Sequence, residues 1–233
     1  MSTQPYSYED IAQAIDHALL TPGQVDADLD QGIAACAAHG VKGVCVQPYY
    51  VGRCAGLLAG TATLPCTVIG FPHGGSSIPV KVFECGAAVA AGAVELDAVV
   101  NTGKVLSADW GYVQAEIEEM THACHEHGRG IKIIFENALL TDRQKVRLCG
   151  VCAAAGVDFV KTSTGFASGG ATAEDCRLMR QATPAHIQVK VSGGLRTLDD
   201  LLVFRNLGAA RFGTSATFAI LADCRARLGA GPS

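Results

Sequence analysis

Short β-branched and apolar runs alternate with longer Ala-rich runs along the whole chain. The short runs predict strands over Ala14–Leu19, Val41–Val46, Cys66–Phe71, Ala93–Val99, Ile131–Phe135, Asp158–Thr162, Ile187–Val191 and Ala209–Gly213. Between them the pattern predicts helices over Asp26–Ala38, Tyr49–Leu58, Val80–Ala91, Asp109–Glu126, Asp142–Ala155, Thr172–Gln181, Leu198–Asn206 and Ser215–Arg227. Asp26, Thr141, Thr172 and Thr197 stand where a side chain can accept from a first-turn amide. Gly40, Gly92, Gly128, Gly156 and Gly208 follow helices, where positive φ is common. The repeating unit is roughly 25–35 residues, the size of one β/α step.

Eight strands alternating with eight helices match a closed α/β barrel. The expected fold is one (β/α)8 TIM barrel over residues 1–233, with a short N-terminal extension. An open doubly wound sheet is the alternative. Its glycine-rich nucleotide fingerprint is missing after the first strand, which runs into Leu20-Thr21-Pro22-Gly23. In a barrel, active sites lie at the C-terminal ends of the strands.

Charge inside the strands is the informative feature. Lys161 lies in Asp158-Phe159-Val160-Lys161-Thr162-Ser163, and Lys190 in Ile187-Gln188-Val189-Lys190-Val191-Ser192. By two-residue alternation Lys161 shares a face with Phe159 and Ser163, and Lys190 with Gln188 and Ser192. The valines take the opposite face, toward the outer helices, so both lysines point into the barrel. Glu95 and Asp97 share a face in the same way. Desolvation and a neighbouring ammonium both lower a lysine pKa. A lysine neutral near pH 7 can attack a carbonyl and form an imine. A buried network with Glu95, Asp97 or Glu136 is the purely structural alternative. Lys132 sits near the start of its strand, lower in the barrel, where a structural role is expected.

Three strand ends lead into small-residue loops: Thr162-Ser163-Thr164-Gly165, Ser192-Gly193-Gly194 and Gly213-Thr214-Ser215. Glycine lets backbone N–H groups approach an anion, and the loops after strands seven and eight often hold phosphate in this fold. Tight turns alone are the other reading.

Composition narrows the classes. The chain is 49% hydrophobic and 17% charged, enough for a large core. A net charge of −4 gives no reason to expect nucleic acid or an anionic membrane as partner. No apolar run reaches the roughly 18 residues needed to span a bilayer. The segment Met1-Ser2-Thr3-Gln4-Pro5 lacks a signal pattern, and the ten cysteines are scattered through apolar segments. Free thiols in a reducing cytoplasm are expected. Cys149 and Cys152 form a C-x-x-C spacing within an apolar helical run and read as core thiols. The stretch from His122 to His127 could suggest a metal cluster, but it ends a helix on the side away from a barrel's mouth.

The segments Asp16-His17-Ala18-Leu19-Leu20, Phe71-Pro72-His73-Gly74, Glu95-Leu96-Asp97, Asp158–Phe166, Val189–Thr197 and Arg211–Ser215 together resemble the deoxyribose-phosphate aldolase family, in that family's order. The resemblance runs roughly from Asp16 to Phe218. It implies an aldolase that needs no metal or other cofactor and acts on a small phosphosugar, as a homodimer. The family reaction is reversible cleavage of 2-deoxy-D-ribose 5-phosphate to D-glyceraldehyde 3-phosphate and acetaldehyde. By motif, Lys161 corresponds to the Schiff-base lysine, Lys190 to a second lysine that depresses it, and Asp97 to a carboxylate that moves protons through water. Asp16, Cys45 and Thr162 are expected to line the substrate site. Gly165, Gly193, Gly194, Gly213 and Ser215 are expected to bind phosphate. Ala18 and Ala216 replace hydroxyl residues common in the family, which bears on substrate affinity rather than reaction class.

Overall fold

The computed structural model describes residues 6–229, so the reading of residues 1–5 lies outside the described residues. The β-branched runs form strands β1 (Ile15–Leu19), β2 (Gly43–Val46), β3 (Leu64–Ile69), β4 (Glu95–Val99), β5 (Gly130–Ile134), β6 (Phe159–Lys161), β7 (Gln188–Ser192) and β8 (Arg211–Thr214). All pair in parallel with their sequence neighbours, and β8 pairs with β1, closing the expected barrel.

Helices α1 (Tyr8–Ala12), α2 (Asp26–Ala38), α3 (Val51–Leu57), α4 (Ile78–Ala90), α5 (Thr102–Leu106), α6 (Trp110–His125), α7 (Asp142–Ala155), α8 (Ala173–Ala182), α9 (Leu198–Asn206) and α10 (Thr217–Gly229) accompany the strands. The hydroxyls of Thr141, Thr172 and Thr197 cap α7, α8 and α9 as expected. Asp26 does not cap: it is the first residue of α2, and Val25 holds the cap position without a side-chain bond. The five glycines that follow helices all have positive φ. Helices α1 and α5, each five residues long, were not legible, because so short a segment carries no apolar period. Ser7 caps α1 through a reciprocal pair with Asp10.

The outward faces of the strands bury the apolar residues. Val44, Leu96, Ile133, Val160, Val189 and Phe212 pack into one core with the helices. Inside, the barrel departs from the usual layers of branched apolar side chains. Its filling is charged: Glu95, Lys132 and Arg211 lie low, with Asp16, Asp97, Lys161 and Lys190 joined to them by ion pairs. Strand register explains the assembly. Lys161 pairs with Lys190, Asp97 with Lys132, and Lys190 with Arg211, so side chains from adjacent strands enter side by side.

His17, on the outward side of β1, is only 4% exposed. Its Nδ1 lies 2.9 Å from the Thr217 hydroxyl at the start of α10. Burial lowers its pKa to about 4. The unfolded chain protonates this imidazole below the ordinary histidine value of 6.5. Between those limits the unfolded state binds more protons, so stability falls as pH falls through the window. The expected loss reaches about 3 kcal/mol near pH 4. Urea melts from pH 7 to 4 on wild type and His17→Gln measure it; a variant with the same slope would remove His17 as the cause.

Candidate active site

At the C-terminal ends of the strands lies a cavity of about 310 Å³. Lys161 and Lys190 both reach it, from β6 and β7. Their Nζ atoms each lie 2.7 Å from the same oxygen, Asp97 Oδ2. Asp97 itself is fully buried beneath them and does not line the cavity. Its other oxygen takes the Lys132 ammonium at 2.9 Å. Lys190 also binds Asp16 Oδ2 at 2.5 Å, and Arg211 binds Asp16 Oδ1 at 2.7 Å and Glu95 Oε2 at 2.8 Å. Lys132 completes the lower layer, 2.6 Å from Glu95.

The electrostatics follow from this composition. Three carboxylates (Asp16, Glu95, Asp97) face four cationic groups (Lys132, Lys161, Lys190, Arg211). A desolvated network with one surplus positive charge is relieved by losing one proton. Lys161 is the group placed to lose it. It bonds one carboxylate, whereas Lys190 bonds two and Lys132 lies within ion-pair distance of three. Burial lowers the Lys161 pKa below the ordinary lysine value; the Asp97 charge opposes this and the Lys190 charge adds to it. For Lys190, burial is outweighed by Asp16 and Asp97, and its pKa is raised. Burial and a neighbouring ammonium thus depress Lys161, while two carboxylates hold Lys190 charged. Burial would raise the Asp97 pKa, but Lys132, Lys161 and Lys190 hold it well below the usual range. One amine is therefore prone to neutrality beside open space, and the rest of the network stays charged.

Most of the expected site residues meet here. Asp16, Cys45, Gly165, Gly193, Gly194, Gly213 and Ser215 line the same cavity as the two lysines. Thr162 does not. It follows Lys161 and takes the opposite side of the strand, where its hydroxyl donates to the Ser192 carbonyl and accepts from the Ser192 N–H, both at 3.2 Å. Burial first, and then the Asp97 charge, push the Cys45 thiol up to about 11, so it is not a ready thiolate. Gly213 leaves room for a lysine: a Cβ there would sit 2.9 Å from Ser192 Cβ and 3.4 Å from Lys190 Cε.

One wall of the cavity suits an anion. Among the described residues, no protein acceptor takes the N–H of Gly193, Gly194 or Ser215. Gly193 and Gly194 have φ of 88° and 90°, a backbone that glycine adopts without strain. Arg196 also lines this wall and makes no ion pair among the described residues. Arg196 is not among the residues expected from the sequence, although a cation two positions after the loop glycines Gly193 and Gly194 is a legible signal for an anion site.

The other candidate clusters resolve structurally. His125 Nε2 lies 2.9 Å from Asp158 Oδ2 at the far end of the barrel, and the His122 side chain is 81% exposed. Cys149 and Cys152 are buried free thiols of α7. Asp16, Cys66 and Glu95 bring possible metal-ligand atoms within 4.8 Å of one another, but Lys132 and Arg211 already occupy those carboxylates.

Comparison with known proteins agrees with this geometry. A deoxyribose-phosphate aldolase of Rhodopirellula baltica is 50% identical over 224 residues, covering 96% of this chain and 93% of the relative. One from a Thermoanaerobacter species is 42% identical over 214 residues, 91% of this chain and 96% of its own length. The solved structure of deoxyribose phosphate aldolase from Aeropyrum pernix, described as tetrameric, superposes with a TM-score of 0.86 at 31% identity, covering 94% of this chain and 92% of that one. Residues 10–221 match the model of the DeoC/LacD family aldolases. The chain belongs to the DeoC/LacD aldolase family.

Proposed function

We propose that this aldolase reversibly cleaves 2-deoxy-D-ribose 5-phosphate to D-glyceraldehyde 3-phosphate and acetaldehyde through a Schiff base on Lys161. The observation that carries the reading is the surplus cation beside the cavity: Lys161, with a lowered pKa, opposite a wall of unclaimed amides and Arg196.

The chemistry follows from the geometry. Neutral Lys161 attacks the sugar's aldehyde carbon, forming a C–N bond, and the carbonyl oxygen takes a proton. Loss of that oxygen as water leaves a protonated imine. Removal of the proton on the C3 hydroxyl lets the C2–C3 electron pair move toward the imine carbon. The phosphorylated aldehyde departs and an enamine remains. Protonation at C2 and hydrolysis then release acetaldehyde and the free amine. Asp97, 2.7 Å from Lys161, exchanges protons with the reacting nitrogen directly, or through a water with the carbon-bound groups. Lys190, held charged by Asp16 and Asp97, disfavours a second cation at Lys161. The phosphate is held by Gly165, Gly193, Gly194 and Ser215, with Arg196 as counter-charge, and Gly213 keeps the floor open.

The reading places the enzyme in deoxyribose phosphate breakdown. Ten buried free thiols suit a reducing cytoplasm, and no helix among the described residues is long and apolar enough to cross a membrane. Self-association as a homodimer is the proposed assembly, with the tetramer of the Aeropyrum relative as the competing one. The test is product formation: purified protein with 2-deoxyribose 5-phosphate should yield acetaldehyde and glyceraldehyde 3-phosphate in equal amounts. Turnover of another phosphosugar, with none of this one, would replace the substrate but keep the lysine chemistry. No aldehyde from any phosphosugar would reject the reading.

A further inference from the structure

Glu136 stands two residues beyond β5, with φ 57° and ψ 63°, a left-handed backbone unfavourable for a residue with a side chain. It is only 4% exposed. Its Oε2 accepts both the Thr164 hydroxyl and the Thr164 N–H, the latter at 3.3 Å. Its Oε1 is buried without a partner. Backbone strain and an unsatisfied buried carboxylate oxygen both oppose folding. One residue carries both, so it is a poor stabiliser of the barrel.

What the carboxylate does is fix one loop. The Thr164 hydroxyl donates to Glu136 and accepts the Phe166 N–H at 3.0 Å. Of the three amides from Thr164 to Phe166, Glu136 takes the first directly and the third through the threonine oxygen. Only the Gly165 N–H has no protein acceptor among the described residues. Gly165 turns the chain at φ 86° and lines the cavity with Gly193, whose Cα lies 4.0 Å from where a Gly165 Cβ would be.

We propose that Glu136 is a positioning residue: its carboxylate orders the Ser163–Phe166 loop so that the Gly165 amide joins the anion-binding wall. The inference rests on the proposed phosphosugar reading. It assigns Glu136 to capture of the phosphate, not to imine chemistry. The two separate because Lys161 lies on the strand, where Phe135 N–H and Lys161 carbonyl hold the ladder independently of the carboxylate.

Glu136→Gly keeps the backbone conformation, which glycine adopts freely, and removes only the clamp. With 2-deoxyribose 5-phosphate, KM should rise about tenfold, the worth of one charge-assisted hydrogen bond, while kcat changes by less than about threefold. With phosphate-free 2-deoxyribose, KM should not move. Thr164→Val should raise KM for the phosphorylated sugar similarly, and the double variant should add nothing further. Wild type should gain thermal stability from inorganic phosphate, and Glu136→Gly should lose most of that gain. A fall in kcat at constant KM, an equal KM rise for the phosphate-free sugar, or additive single variants would overturn the assignment. If wild type releases no aldehyde, the catalytic reading fails, and the inorganic phosphate titration alone then decides whether Glu136 orders an anion site.

Discussion

Lys161→Ala loses aldehyde release by at least about 10⁴-fold at every pH, while the protein still folds and melts within a few degrees of wild type. The activity loss follows from removing the only cavity amine with a lowered pKa. The retained stability follows from the charge count. Without Lys161, three carboxylates face three cations, and Asp97 still binds Lys132 at 2.9 Å and Lys190 at 2.7 Å. No buried charge is stranded, which is the usual cause of a severe loss from breaking a buried pair. Borohydride trapping with acetaldehyde separates this from a general defect. Wild type should gain a two-carbon adduct on Lys161, and Lys161→Ala none. An adduct on Lys190 would exchange the roles of the lysines; an active Lys161→Ala would remove the Schiff base from the mechanism.

The sequence carried this site unevenly, for physical reasons. Strand alternation is a local property, so the inward faces of Lys161, Lys190, Glu95 and Asp97 were readable from their neighbours. The bounds of α7 and α9 were readable because Thr141 and Thr197 cap them where the end signals stand. The same alternation argued against Thr162 as a lining residue, because the residue after an inward lysine must face outward. Its proximity to Lys161 in the chain was misleading. Partnership between distant strands was not legible. Asp16 meets Lys190 across 174 residues, and only barrel closure brings β1 beside β8. That contact gives Lys190 its second carboxylate and raises its pKa, so the two lysines diverge where strand alternation alone treats them alike. Glu136 was hidden in another way. Its role depends on a left-handed backbone that nothing in Phe135-Glu136-Asn137 announces.

That divergence makes Lys190→Leu the second large effect. Lys190 and Lys161 each lie 2.7 Å from Asp97 Oδ2, so their ammonium groups are no further apart than those two contacts allow, and at about 5 Å two charges repel by about 3 kcal/mol at an effective dielectric near 20. Leucine removes that repulsion. It also leaves three carboxylates facing Lys132, Lys161 and Arg211, so the network has no surplus charge and no reason to release a proton. Both changes act in one direction: Lys161 holds its proton more tightly and its pKa rises. Because attack requires the neutral amine, the acid limb of the rate profile moves to higher pH, by about two units. At a fixed pH on that limb the rate falls about 100-fold, and raising the pH restores much of it. Asp16 remains bound to Arg211 and Asp97 to Lys132, so the variant should fold. A rate profile from pH 5 to 10 reads the outcome. An acid limb that stays in place would mean that Lys190 does not set the proton affinity of Lys161. A uniform loss at all pH values would point instead to direct contact between Lys190 and the substrate.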